Sequence, residues 1–314
     1  MLSRAATSLT LLGRQLERAD YLARLLDVHL DLSLDRSDDP GTGFWTEVMQ
    51  LAGWTATDVD RREQAIELLV GGAAGPSVKR AIAAARSAAQ AVRPSLPSEL
   101  YEHVNALHLR IQEGSWERDL HGYLMGIEMG VHLVDGLVED AMLRDEAREF
   151  VRLGKFLERM DNVVTLVAGK SAHLKEDLEG ALEWTAVLKC AFAFETYRAR
   201  FSTPVAAGPV TRYLLFDPAL PRSAAFCADE ALLSVRRIDG ERVRSRPAVV
   251  LTRLSGLFRD PAAASAGLDA LEALPAEYRE LVVQLAAALR ASYFQPGKVA
   301  ATVPGDPTSR APQQ

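Results

Sequence analysis

Apolar positions along this chain recur every three or four residues, and the alternation expected of strands is rare. Leu9, Leu12, Leu16, Ala19, Ala23 and Leu26 form one such stripe and predict a first helix from about Arg4 to Leu34. The run Asp38-Asp39-Pro40-Gly41-Thr42-Gly43 ends it, because proline lacks an amide donor and glycine favours turns. Shorter helices are predicted from Phe44 to about Trp54, from Asp58 to Val70 and from Ser77 to Val92. Ser77 suits an N-cap, since its hydroxyl can accept a free amide of the first turn. Pro94 and Pro97 separate that helix from one running from Ser98 to about Glu113, and Trp116 to Val138 reads as a single further helix.

The second half opens near Met142 with the stripe Phe150, Leu153, Leu157, Met160, Val164 and Val167. Leu178 to Phe201 reads as one long helix, Ser223 opens another, and the last two run from about Arg246 to Phe258 and from Leu268 to Tyr293. Residues 295–314 are rich in Pro, Gly and polar side chains and predict a disordered tail. The fold class is therefore all-α, a helical bundle.

Of the 314 residues, 48% are hydrophobic and 25% charged, an ordinary globular balance that allows two domains or one large helical one. The net charge of -6 argues against nucleic acid as a partner. Cys190 and Cys227 are too few for a disulfide framework and lack a CxxC spacing, so a reducing, cytoplasmic setting is expected. No apolar run reaches the ~18 residues that would span a bilayer, so no membrane association is expected. Met1 to Gly13 mimics a weak signal peptide but continues in helical period into Arg14 and Glu17, and is read as part of the first helix.

One polar pattern occurs twice within these stripes. Leu12-Gly13-Arg14-Gln15-Leu16-Glu17-Arg18-Ala19-Asp20 matches Leu153-Gly154-Lys155-Phe156-Leu157-Glu158-Arg159-Met160-Asp161, 141 residues later. Trp45-Thr46 matches Trp184-Thr185, and Leu68-Leu69 with Ser77 matches Leu214-Leu215 with Ser223. These blocks keep their order, which predicts two pseudo-repeated halves, about 1–138 and 142–294, within a single domain. Packing about a pseudo-two-fold axis would bring the two motif helices together.

Residues three and four apart share a helix face, so Glu17, Asp20 and Arg24 point together, as do Glu158 and Asp161, while Arg14, Arg18 and Arg159 line adjacent faces. These eight residues are the candidate site, and three readings of them stay open. They can be structural ion pairs, since a buried charge needs a partner. They can form a polar cleft that binds a guest, or supply acid/base chemistry. A metal site would draw on four carboxylates from two helices, but the histidine that usually completes such sites is missing from both motifs, so neither metal nor cofactor is expected. Trp45 and Trp184 read as core anchors, Cys227 as a buried thiol, and the recurring Gly122, Gly126, Gly130 and Gly136 as a place where another helix comes close. A stripe at Leu281, Leu285 and Leu289, if uncovered, would signal a homo-oligomer.

The chain resembles the bacterial alpha-E family, an all-helical domain of unknown function. The resemblance covers roughly residues 1 to 294 and rests on Met1-Leu2-Ser3-Arg4, Leu12 to Val28 with Glu17-Arg18-Ala19-Asp20, and Pro76-Ser77. It rests also on Met142 to Glu146, Phe150 to Asp161, Phe194-Glu195-x-Tyr197, Leu214-Leu215 and Pro221-Arg222-Ser223. It implies a place beside circularly permuted ATP-grasp proteins and transglutaminase-like cysteine peptidases, in an amide-forming or peptide-modifying system. A non-catalytic accessory or scaffold subunit is the function it suggests. The second motif departs from the family pattern at Arg148, where an aromatic residue is common. It departs also at Thr165, often basic, and at Ala168, often Asp. A second copy with a reduced polar face puts two equivalent sites in doubt.

Overall fold

In the computed structural model of the chain, residues 3–35, 43–55, 59–171, 178–240, 245–260, 264 and 270–295 are described. Among them are thirteen α-helices and no strand: α1 Ser3–Asp35, α2 Phe44–Leu51, α3 Arg62–Gly71, α4 Val78–Ala91, α5 Ser98–Gln112, α6 Leu120–Asp140 and α7 Glu146–Ser171 lead the order. The rest are α8 Leu178–Cys190, α9 Phe194–Arg200, α10 Ala207–Phe216, α11 Ala224–Asp239, α12 Arg246–Leu257 and α13 Ala270–Leu289, which runs on into a π turn at Arg290–Phe294. The predicted turn at Asp38 to Thr42 and the predicted tail beyond Gln295 lie outside the described residues.

Two long helices organise the bundle. α1 has 33 residues and so spans about 50 Å; α7 has 26 and packs along it. α4 and α6 flank α1, with α5 between them, while α11 flanks α7 and carries α12 and then α13. The predicted stripe of α1 is buried at every position from Leu9 to Leu26, and that of α7 at Phe150, Leu153, Met160, Val164 and Val167. Trp45 and Trp184 are both fully buried.

The α1–α7 approach is close because each helix offers a glycine to the other. A methyl group at Gly13 would stand 2.0 Å from the Val151 carbonyl oxygen, and one at Gly154 would stand 2.0 Å from that of Thr10. Each contact is the other shifted by 141 residues. Ser77 and Ser223 also repeat a local geometry: each hydroxyl caps its helix, accepting from Arg80 N and Phe226 N, and donates to a preceding carbonyl.

Three expectations are corrected. The helix read from Trp116 to Val138 is broken: Asp119 caps a new start at Leu120, its carboxylate accepting from Gly122 N, and a separate 3-10 turn covers Ser115–Glu117. The helix read from Leu178 to Phe201 stops at Cys190. There the Ala193 amide donates to Leu188 O and the Phe192 amide to Lys189 O, with Phe192 at φ 51. This pair of hydrogen bonds closes a helix end and normally uses glycine at the left-handed position, so the residue types alone do not announce it. Leu281, Leu285 and Leu289 are buried within the chain, so the stripe is covered and is no signal for a homo-oligomer. The glycines of α6 divide: Gly130 faces Leu107 and Gly126 faces Arg110 of α5, whereas a side chain at Gly136 would meet open space.

Candidate functional site

The motif residues meet where α1 crosses α7, and their charges pair across the crossing. Arg159 donates to both oxygens of Glu17, Nε to Oε1 at 2.8 Å and Nη2 to Oε2 at 2.6 Å. In the reverse direction Arg14 Nε donates to Glu158 Oε2 at 2.9 Å and Arg18 Nε to Glu158 Oε1 at 2.6 Å. Both glutamates are buried, at 3% and 1% exposure, so each depends on the other helix for its counter-charge. The bidentate geometry at Glu17 is the strong form of a guanidinium–carboxylate contact.

The two sides differ beyond this exchange. On the first, Arg222 joins from the turn before α11, with Nη1 3.1 Å from Glu17 Oε1 and 3.0 Å from Asp20 Oδ2. Arg24 holds Asp20 Oδ1 at 2.9 Å and Glu128 of α6 at 2.7 Å. His132 Nε2 stands 3.5 Å from Asp20. Burial disfavours charge on Glu17 and Asp20, yet the guanidiniums outweigh it. Arg159 and Arg222 hold Glu17 below its ordinary range, and Arg222 and Arg24 hold Asp20 at about 2. Glu128 goes the other way, pushed up to about 7 by burial despite Arg24, with Asp20 and Asp27 adding to the effect. Burial pushes the His132 imidazole down. Phe192, whose left-handed backbone is strained for a residue with a side chain, lays its ring against the same cluster. Its centroid lies 4.4 Å from Arg24 Cζ, 5.5 Å from Arg222 Cζ and 5.5 Å from the His132 ring.

The second side is sparser. Asp161 accepts a hydrogen bond from Tyr278 of α13 at 3.2 Å and, among the described residues, has no cation in contact. Burial and the nearby Glu158 carboxylate push its carboxyl up. The residue at the place of Arg24 is Thr165, which lines a cavity of about 170 Å³ together with Arg18, Glu158, Asp161 and Asn162. On the other flank of Asp161 lies a cavity of about 230 Å³ between α1, α7 and α13. Lys155, at the place of Arg14, turns away to Asp135 at 2.9 Å.

The chain belongs to the Alpha-E family. Its match covers residues 1–294, and the family is described as a predicted alpha-helical domain with a conserved ER motif. Glu17-Arg18 and Glu158-Arg159 are two Glu-Arg steps of this Alpha-E chain, and their four side chains are the crossed ion pairs. No curated protein and no solved structure matches the chain.

All eight predicted site residues lie at or beside the crossing, but not in one cluster. Glu17, Asp20, Arg24 and Arg159 form one group, Arg14, Arg18 and Glu158 another, and Asp161 stands apart with Tyr278. No group of His, Cys, Asp and Glu among the described residues is arranged to hold a metal. Sequence reasoning missed Arg222, Glu128, His132 and Phe192, all drawn in from other helices or turns. Only Arg222 carried a signal, as part of Pro221-Arg222-Ser223. It missed also a second network on α7, in which Arg148 and Arg152 reach Glu139, Glu149 and Glu230. A third is the buried Lys170, 2.8 Å from Glu47 and 2.7 Å from Glu183, tying α2 to α8 through α7. Burial pushes the Cys227 and Cys190 thiols up to about 12, which suits inert thiols. No helix among the described residues is long and apolar enough to cross a membrane.

Proposed function

We propose that this Alpha-E protein is a non-catalytic accessory or scaffold subunit, built from two related halves, in a cytoplasmic amide-forming or peptide-modifying system. Its partners are a circularly permuted ATP-grasp protein and a transglutaminase-like peptidase. The observation that carries the non-catalytic part is the mutual neutralisation of Glu17 with Arg159 and of Glu158 with Arg14 and Arg18. Carboxylates buried and taken up by guanidiniums in this way hold two helices together rather than face a reacting group. The choice of partners rests on the family resemblance.

Co-purification of the full chain with the ATP-grasp protein tests the scaffold role. A complex stable at micromolar concentration is expected, and its absence would remove the proposal. One observation favours an enzyme instead: Glu128 at about 7, one helical turn from His132 and paired to Arg24, on which Phe192 stacks, has the titration and company of a general acid or base. In that reading Glu128→Gln abolishes turnover while Glu17→Gln acts through stability.

A further inference from the structure

A cavity beside the second motif has a polar end that nothing among the described residues completes. Its walls are Leu157 and Met160 of α7, Val282, Leu285 and Leu289 of α13, and Phe294 of the π turn. Asp161 and Tyr278 stand at one end, and Arg14 and Arg290 also line it. Tyr278 donates to one oxygen of Asp161, and the other oxygen has no hydrogen-bond donor among the described residues. Arg290 has no ion-pair partner among them either, and Arg14 spends Nε and Nη2 on Glu158.

The corresponding aspartate of the first motif shows what is missing. Asp20 is closed off by Arg24 and Arg222; at Asp161 a threonine replaces the first of these and empty volume lies on both flanks. We propose that this cavity binds an apolar α-amino acid. The ligand's ammonium supplies the cation that Thr165 does not, its carboxylate meets the free edge of Arg14, and its side chain lies along Leu157, Met160, Val282 and Leu285. The size supports one residue. At about 230 Å³ the cavity falls below the range of roughly 300–1,000 Å³ usual for drug-sized ligands. The inference stands apart from the scaffold reading, since a small molecule can bind whether or not a ligase does.

Calorimetric titration of the full chain with L-leucine and L-phenylalanine is the test, with isoamylamine and isocaproate as probes lacking the carboxylate and the ammonium. Saturable binding of an apolar amino acid is expected, weakened at least tenfold in either probe. Asp161→Asn should lower leucine affinity at least tenfold, and Arg14→Gln should weaken leucine but not isoamylamine. Should Asp161→Asn not fold, Ala286→Trp fills the cavity from an exposed position and is expected to abolish binding. No saturable binding at about 10 mM overturns the proposal, as does leucine affinity unchanged in Asp161→Asn or in Ala286→Trp.

Discussion

The two Glu-Arg motifs have nearly the same local sequence and different electrostatic fates. Around the first, three guanidiniums converge on Glu17 and Asp20 from α1, α7 and the turn before α11, leaving room for about one water molecule beside Glu17, a cavity of 20 Å³. Around the second, Glu158 is paired to Arg14 and Arg18, which are themselves 41% and 36% exposed, while Asp161 has, among the described residues, a tyrosine partner and two cavities beside it. A duplicated motif thus supplies identical backbone contacts, Gly13 and Gly154 each against the other helix. The chemistry of each copy depends on which side chains from other helices close over it.

The largest contrast is expected between the two glutamates. Glu17→Gln takes from buried Arg159 its bidentate partner, leaving only Asp135 at 3.8 Å as counter-charge among the described residues, and should cost about 3 kcal/mol; Glu158→Gln leaves two arginines that can turn to water and should cost about 1 kcal/mol. Urea denaturation of both variants measures the difference, and equal losses would erase the asymmetry. Next come Gly13→Ala and Gly154→Ala. Each forces a methyl group onto a backbone oxygen that cannot move alone, so about 3 kcal/mol is expected for both. Thermal unfolding should show the two within error of one another, since this part of the crossing is reciprocal.

The aspartates differ in sign. Asp20 is held at about 2 against an ordinary 3.8. Its stabilising contribution, on the order of 2 kcal/mol, is complete above the ordinary value and is lost as pH falls towards 2. Asp161 is raised, so ionising it costs stability as pH rises past its ordinary value. Asp20→Asn should therefore destabilise at neutral pH and flatten the acid limb of the stability curve, whereas Asp161→Asn should hold or raise the melting temperature. Stability measured against pH from neutral down to about 2 checks both. The smallest effects belong to the paired caps: Ser77→Ala and Ser223→Ala should each cost about 1 kcal/mol, read as equal shifts in denaturant midpoint.

Helix positions were legible because burial follows the 3.6-residue period: α1, α4 and α7 begin and end within a few residues of where their stripes and caps place them. The end of α8 was not legible, because its closing residue is Phe192 where glycine is usual. The site was half legible. Glu17 and Arg159 stand out as a repeated step, but Arg222, Glu128, His132 and Phe192 lie 27 to 205 residues from Glu17 or Arg159 along the chain, and no local spacing links them.

What the amino-acid order determined by itself is the helical class, the two long amphipathic helices, and the pair of glycines and glutamates that let them cross. The class and the helices follow from periodicity, a property of neighbouring residues, and the glycines and glutamates stand in the motif that both helices carry. Which carboxylate is sealed by arginine and which is left facing a cavity was decided only by the packed bundle. A charge is set by everything within a few ångströms in space, and at Asp20 and Asp161 those neighbours arrive from helices that the chain reaches much later.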